Sequence, residues 1–228
     1  MFAAHRMLFS RPSAPPAVSY VSTANDSTNA TTWTFTAQPI SPGFVVVAVT
    51  SRIGGNVPSF AFSGVTIGGA AASLLVAKNH YNVTSASTTA IEIWGLTVTS
   101  GTTADIVPTV TGGTGVRCGI AVFAATGVST TPYSTLAADA GASTTVVTGG
   151  LNTVANSVVI AAATGVAGSG TCTWTNLTER LDTVLESTQC WTAASDSGVA
   201  AATPLTLTAT FTSTTARPAM VAVCLKAP

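Results

Sequence analysis

The residues best equipped for chemistry in this 228-residue chain are few: four cysteines, two histidines and eight carboxylates. Cys118, Cys172, Cys190 and Cys224 have no CxxC spacing, so a zinc site does not follow from them. Two readings of the thiols stay open. They are small apolar core residues, or they pair as disulfides, with Cys172 and Cys190 clipping a hairpin and each bridge contributing about 2–4 kcal/mol. His5 lies near the N-terminus, and His80 falls in Lys78-Asn79-His80-Tyr81-Asn82, which reads as a solvated loop; neither has the spacing of a metal-ligand pair. Glu92 alternates with Ile91 and Ile93, which predicts a carboxylate facing water. Glu179 and Asp182 flank Arg180, as expected of a local ion pair. Asp105, Asp182, Glu186 and Asp196 supply oxygens but have no calcium-loop spacing. Nucleophile elbow, phosphate loop and dinucleotide fingerprint are all missing from the sequence. The reading is a non-enzyme with no catalytic residues, no metal and no cofactor.

The elements that would carry these side chains are strands. Charged residues make up 7% of the chain, against about 25% in an ordinary domain. The polar work falls to 41 Thr and 22 Ser. Threonine is β-branched and fits a pleated surface. Thr32-Trp33-Thr34-Phe35-Thr36 alternates with period two, while Phe44-Val45-Val46-Val47-Ala48-Val49 is continuously apolar and reads as a strand covered on both faces. Residues 60–67, 73–77, 90–96 and 116–125 read as further strands. Pro108 demotes the strand at 104–111 to an edge or a bulge. Residues 177–185 admit a helix, but in this setting a strand is the better reading. Gly54-Gly55, Gly68-Gly69, Gly112-Gly113 and Gly149-Gly150 read as hairpin turns.

The strand series replays itself. Residues 145–148 stand for 33–35, 157–161 for 44–49, and 172–175 for 64–67. Gln189-Cys190-Trp191 stands for Glu92-Ile93-Trp94, 205–209 for 105–109, and 217–223 for 117–123. The expected fold is therefore all-β: a jelly-roll-like antiparallel β-sandwich over residues 20–228, with pseudo-repeat halves of about 20–127 and 128–228. A single sandwich is favoured over two in tandem, because no charged or Pro-rich linker separates the halves. Residues 1–19 form an extended arm, with Pro12, Pro15 and Pro16 blocking helix and Phe2, Met7, Leu8 and Phe9 offered to a neighbouring subunit.

A net charge of zero gives no electrostatic footprint for nucleic acid or anionic lipid. No apolar run is long enough for a membrane-spanning helix, and Arg6 interrupts what would be a secretory leader. The strand run Thr32-Trp33-Thr34-Phe35-Thr36, residues 44–49, Val65-Thr66-Ile67-Gly68-Gly69-Ala70-Ala71 and Ile91-Glu92-Ile93-Trp94 resembles β-sandwich accessory proteins of tailed bacteriophages and gene-transfer particles, over residues 20–226. That resemblance implies a virion structural protein of the head-decoration, collar or tail-fibre kind. It would be assembled in the host cytoplasm, commonly as a trimer, against copies of itself and other virion proteins. It carries over no catalytic residue. The alternative is a carbohydrate-binding module that displays Trp33, Trp94, Trp174, Trp191 or Tyr81 to a host surface glycan.

Overall fold

A computed structural model describes residues 14–81, 87–141, 144–166, 170–185 and 189–228; the side chains of 144 and 213–217 lie outside the description. Sixteen strands and no helix occur among these residues. They are β1 (Ala17–Asp26), β2 (Phe35–Pro39), β3 (Gly43–Gly54), β4 (Ala61–Ile67), β5 (Ala70–Ala71), β6 (Ser73–His80), β7 (Ser87–Val98), β8 (Thr103–Thr111) and β9 (Arg117–Thr126). Then come β10 (Ser134–Asp139), β11 (Thr144–Thr153), β12 (Ser157–Val166), β13 (Cys172–Thr175), β14 (Glu179–Leu185), β15 (Gln189–Val199) and β16 (Ala202–Leu225). Residues 177–185 thus hold a strand, β14, paired with β15.

The strands stack in four layers. One inner sheet has the order β1-β9-β3-β7-β6, and an outer sheet of order β2-β8-β4-β5 packs on it. In the second half, β10-β16-β12-β15-β14 forms the other inner sheet, while β11 and β13 flank the first part of β16 as the outer layer. The two strand orders correspond position by position. Between the inner sheets lies a third core, with Phe44, Val46, Ile91, Ile93 and Phe123 on one side and Ile160, Trp191, Val221 and Val223 on the other. Each half is therefore a sandwich with its own core, and the two sit back to back, where a single sandwich was expected.

This stacking explains the hydrophobic pattern. A central strand of an inner sheet has no solvent face, so β3 runs buried from Phe44 to Ser51, even residues toward the central core and Val45, Val47 and Val49 toward the outer sheet. β16 shows the rule changing along one strand. In its outer-layer part Leu207, Ala209 and Phe211 alternate inward, and from residue 218 to 225 every side chain is buried. Thr164 in β12 and Thr50 in β3 each donate a hydroxyl proton to a neighbouring carbonyl, Cys190 O at 3.1 Å and Ala90 O at 3.0 Å. The Gln189 amide then donates to both hydroxyls across the central core, at 3.0 and 3.1 Å. Ladder register puts Ile91 opposite Thr50 and Trp191 opposite Thr164. Trp191 consequently occupies the place of Ile91, three residues away from the correspondence with Trp94 expected from the sequence.

Three other expectations change. β8 lies inside its sheet, between β2 and β4, not at an edge, and of the two alternatives the bulge is the one found, the β4 register slipping between Phe62 and Gly64 beside Pro108. Pro108 is tolerated because its carbonyl accepts the Trp33 N–H at 3.1 Å, so its missing proton faces the side where the regular β2 ladder has already ended. Gly149 and Gly150 lie within β11 and make no turn. A Cβ at Gly149 would fall 2.6 Å from Leu136, and one at Gly150 2.8 Å from Pro204, so close packing demands glycine there. Gly68 and Gly69, with φ of 59° and 81°, do make the turn between β4 and β5. Finally, the arm is shorter than 1–19. Ala17, Val18 and Ser19 already pair with Thr126, Ala125 and Ala124 in β9.

The back-to-back contact is tight at Gly119, where a Cβ would lie 2.9 Å from the Trp191 indole. Gly119→Val should cost about 1–3 kcal/mol by overpacking, read as a lowered urea midpoint in the isolated protein. An unchanged midpoint would contradict the packing of Trp191 on β9.

Candidate functional site

Glu92 is a carboxylate strongly altered by the fold. It is buried, at 2% exposure, because β7 is covered on both faces; the expected solvent-facing carboxylate is corrected accordingly. Its parity within β7 sends it toward the outer sheet with Ala90 and Trp94. There Oε1 accepts the Phe62 N–H at 3.0 Å and Oε2 accepts the Trp94 Nε1–H at 2.9 Å. The carboxyl ties β7 to β4 across the first sandwich. Burial raises its pKa to about 7, and the two hydrogen bonds oppose the rise without cancelling it.

The second sandwich gathers the largest cluster of ionisable side chains. Cys172 on β13 and Cys190 on β15 belong to its core, one on the outer sheet and one on the inner. Their strands are not hairpin partners, since β13 pairs with β16 and β15 with β12 and β14. The expected clip is absent: Cys118, Cys172, Cys190 and Cys224 are all buried free thiols. Cys190 Sγ points at Gly165 O, 3.4 Å away, and Cys172 Sγ at Thr173 O, 3.7 Å away. Asp182 accepts the Cys172 N–H at 2.9 Å. Burial raises both thiol pKa values, and the Asp182 carboxylate raises them further; Cys190 reaches about 11. A nucleophilic cysteine needs the opposite environment, cationic and partly open. Their burial favours the protonated thiol.

Two further acids and His80 make structural contacts. Asp105 accepts the Ala37 N–H at 2.8 Å, and Asp196 accepts the Thr178 N–H at 2.9 Å. Arg180 pairs with Asp196 at 3.7 Å in place of the expected Glu179 or Asp182. Glu186 and His5 lie outside the described residues. His80 ends β6 as a buried residue, not a solvated loop, with Nδ1 3.2 Å from Pro218 O. No group of three or more His, Cys, Asp or Glu side chains is placed to hold a metal among the described residues.

Trp33, Trp94 and Trp191 are buried. Trp174 is half-buried, and its indole N–H donates to Thr192 Oγ1 at 2.8 Å. Tyr81 and Tyr133 are exposed, and Lys226 Nζ sits 5.3 Å from the Tyr133 ring centroid. One open groove, of about 450 Å³, lies between the ends of β6 and β7 and the connector joining the halves. Phe44, Leu74, Leu75, Leu96 and Pro132 line it, and no residue type in the sequence marked it beforehand. The arm residues Phe2, Met7, Leu8 and Phe9 lie outside the described residues.

Comparison of the chain with protein-family models, with curated proteins and with solved structures returns no match in any of the three.

Two measurements check this chemistry. The folded Glu92 carboxyl keeps its proton to about pH 7, whereas the unfolded one releases it near 4.5. Its stabilisation is therefore complete below pH 4.5 and is lost as pH rises through 7, on the order of 3 kcal/mol in all. Glu92→Gln has one acceptor oxygen for two N–H donors, so it should be less stable than the native chain at pH 5 by about 1–3 kcal/mol. The gap should close by pH 8; a gap constant from pH 5 to 8 would sink the buried-acid account. For the thiols, a maleimide at neutral pH should label none of the four in the folded chain and all four in guanidinium without reductant. Loss of label on two or four in guanidinium would restore the disulfide reading.

Proposed function

We propose that the chain is a non-enzymatic structural subunit of a phage-like particle, a head-decoration, collar or tail-fibre protein, assembling through its sandwiches and N-terminal arm. The observation that carries the non-catalytic part is the fate of the ionisable groups. The most perturbed of them, Glu92, Cys118, Cys172 and Cys190, are enclosed in the two outer cores, where Glu92 meets a backbone and an indole donor and the thiols face backbone carbonyls. None opens on the groove, whose lining carries no acid, base or thiol.

The surface supports an assembly role. Cross-strand hydroxyl pairs such as Thr32 with Thr109 at 3.2 Å and Thr148 with Thr208 at 3.1 Å stand where ion pairs usually do. A surface of that kind presents little charge repulsion to a neighbouring copy. The particle assignment itself rests on the resemblance of residues 20–226 to virion accessory proteins; location in a virion, and trimers of this chain with other virion proteins as partners, follow from that reading. Glycan binding is the weaker alternative. Three of its four tryptophans are enclosed, which leaves Tyr81 and the unforeseen Tyr133 as exposed stacking surfaces.

The arm provides the test. Because β1 begins at Ala17 and pairs with β9 from its first residue, the deletion must spare it. A chain lacking residues 1–13 should keep a single cooperative unfolding transition. Co-expressed with the other proteins of the particle, it should enter particles at a small fraction of the full-length level. Undiminished incorporation would refute the role of the arm.

A further inference from the structure

Leu74, at 48%, is the most exposed large apolar side chain among the described residues. Its position follows from an irregularity in edge strand β6. The register with β7 slips between Leu74 and Val76, which breaks the alternation. Leu75 packs on the central core, while Leu74 is left on the wall of the 450 Å³ groove. Leu96, Phe44 and Pro132 complete an apolar floor, and Ser73, Thr97, Thr130 and Thr131 add hydroxyls able to bind a peptide backbone. No charged residue lines it.

The chain upstream of β1 begins at the end of β9, three residues ahead of the groove wall at Thr130. The Ala14 carbonyl oxygen lies 2.8 Å from where a Cβ on Gly127 would stand, so the arm leaves the fold against the first residue after β9. Thr130, on the groove wall, follows Gly127 by three residues, which bounds their separation at about 11 Å. Phe9 precedes Ala14 by five residues, a reach of about 17 Å when extended. Met7-Leu8-Phe9 is the nearest apolar run on that side of the root.

We propose that Met7-Leu8-Phe9 of the chain's own N-terminal arm seats in the groove formed by Phe44, Leu74, Leu75, Leu96 and Pro132. An apolar groove and an apolar run of the same chain, tethered within reach, meet at an effective concentration that no separate molecule matches at ordinary dilution. This seating belongs to the isolated chain and does not depend on the particle reading. A failed incorporation assay therefore leaves it standing, and its own failure leaves the particle reading standing.

Trypsin cleavage after Arg6 reports the seat, since Pro12 protects the Arg11 bond. In the full chain, cleavage after Arg6 should be roughly tenfold slower than in Leu74→Asp, because proteolysis tracks the released population. Protection should be equal across a wide range of protein concentration. Leu74 is half exposed, so this variant should fold, with circular dichroism as the check. Phe9→Ser removes the other partner outside every described strand, and should be cut as fast as Leu74→Asp. Equal rates in the native chain and Phe9→Ser would overturn the proposal. Protection that grows with concentration alongside a dimer peak would give the groove to a neighbour's arm and overturn it as well.

Discussion

Stacking four sheets leaves the central strands of the two inner ones without a face toward water, and most of the remaining structure answers to that constraint. Side chains on those strands are apolar or turn polar atoms to partners inside, with Ser157 Oγ and Gln189 Oε1 among the exceptions. A threonine can do this, because its hydroxyl turns back to a strand carbonyl while its methyl packs. Thr50, Thr164 and Thr192 do so toward Ala90, Cys190 and Leu181. Gln189 goes further and joins the two halves through Thr50 and Thr164 together. A lysine or an ionised aspartate in the same place would bring a charge that no neighbour neutralises. The scarcity of charge and the abundance of threonine are two sides of the same geometry.

The constraint also decides what the few ionisable groups can do. Charge is disfavoured wherever a layer covers it, so acids and thiols move toward their neutral forms. Glu92 and Cys190 show this, the first as a structural tie between β7 and β4, the second as a thiol whose pKa burial raises to about 11. Where acids are less enclosed they cap backbone N–H groups, as Asp105, Asp182 and Asp196 do. Chemistry would need such groups to converge on an open cleft. The open groove at Leu74 has an apolar floor and hydroxyl walls.

Interpreting the halves as one sandwich or two turned on a linker that sequence could not reveal. Residues 127–133 carry no charge, and only Pro132 marks them as a connector. They need no special composition, because the halves are not separate bodies: Trp191 of one packs on Gly119 of the other, and the central core is shared.

What the sequence determined by itself was period. Two-residue alternation at 32–36 and unbroken apolarity at 44–49 are local properties, and each translates directly into how many faces of a strand are covered. The all-β class, the double coverage of β3 and the strand at 179–185 were legible for that reason. What only the tertiary structure decided was which layer each alternating residue faced. Glu92 looks identical in sequence whether its side of β7 meets water or β4. The same holds for His80 beside Pro218, for Gly149 under Leu136, and for Cys172 and Cys190, whose strands are near in sequence yet lie in different sheets. These outcomes depend on contacts between residues tens of positions apart, and a one-dimensional pattern carries no record of the surface that closes over it.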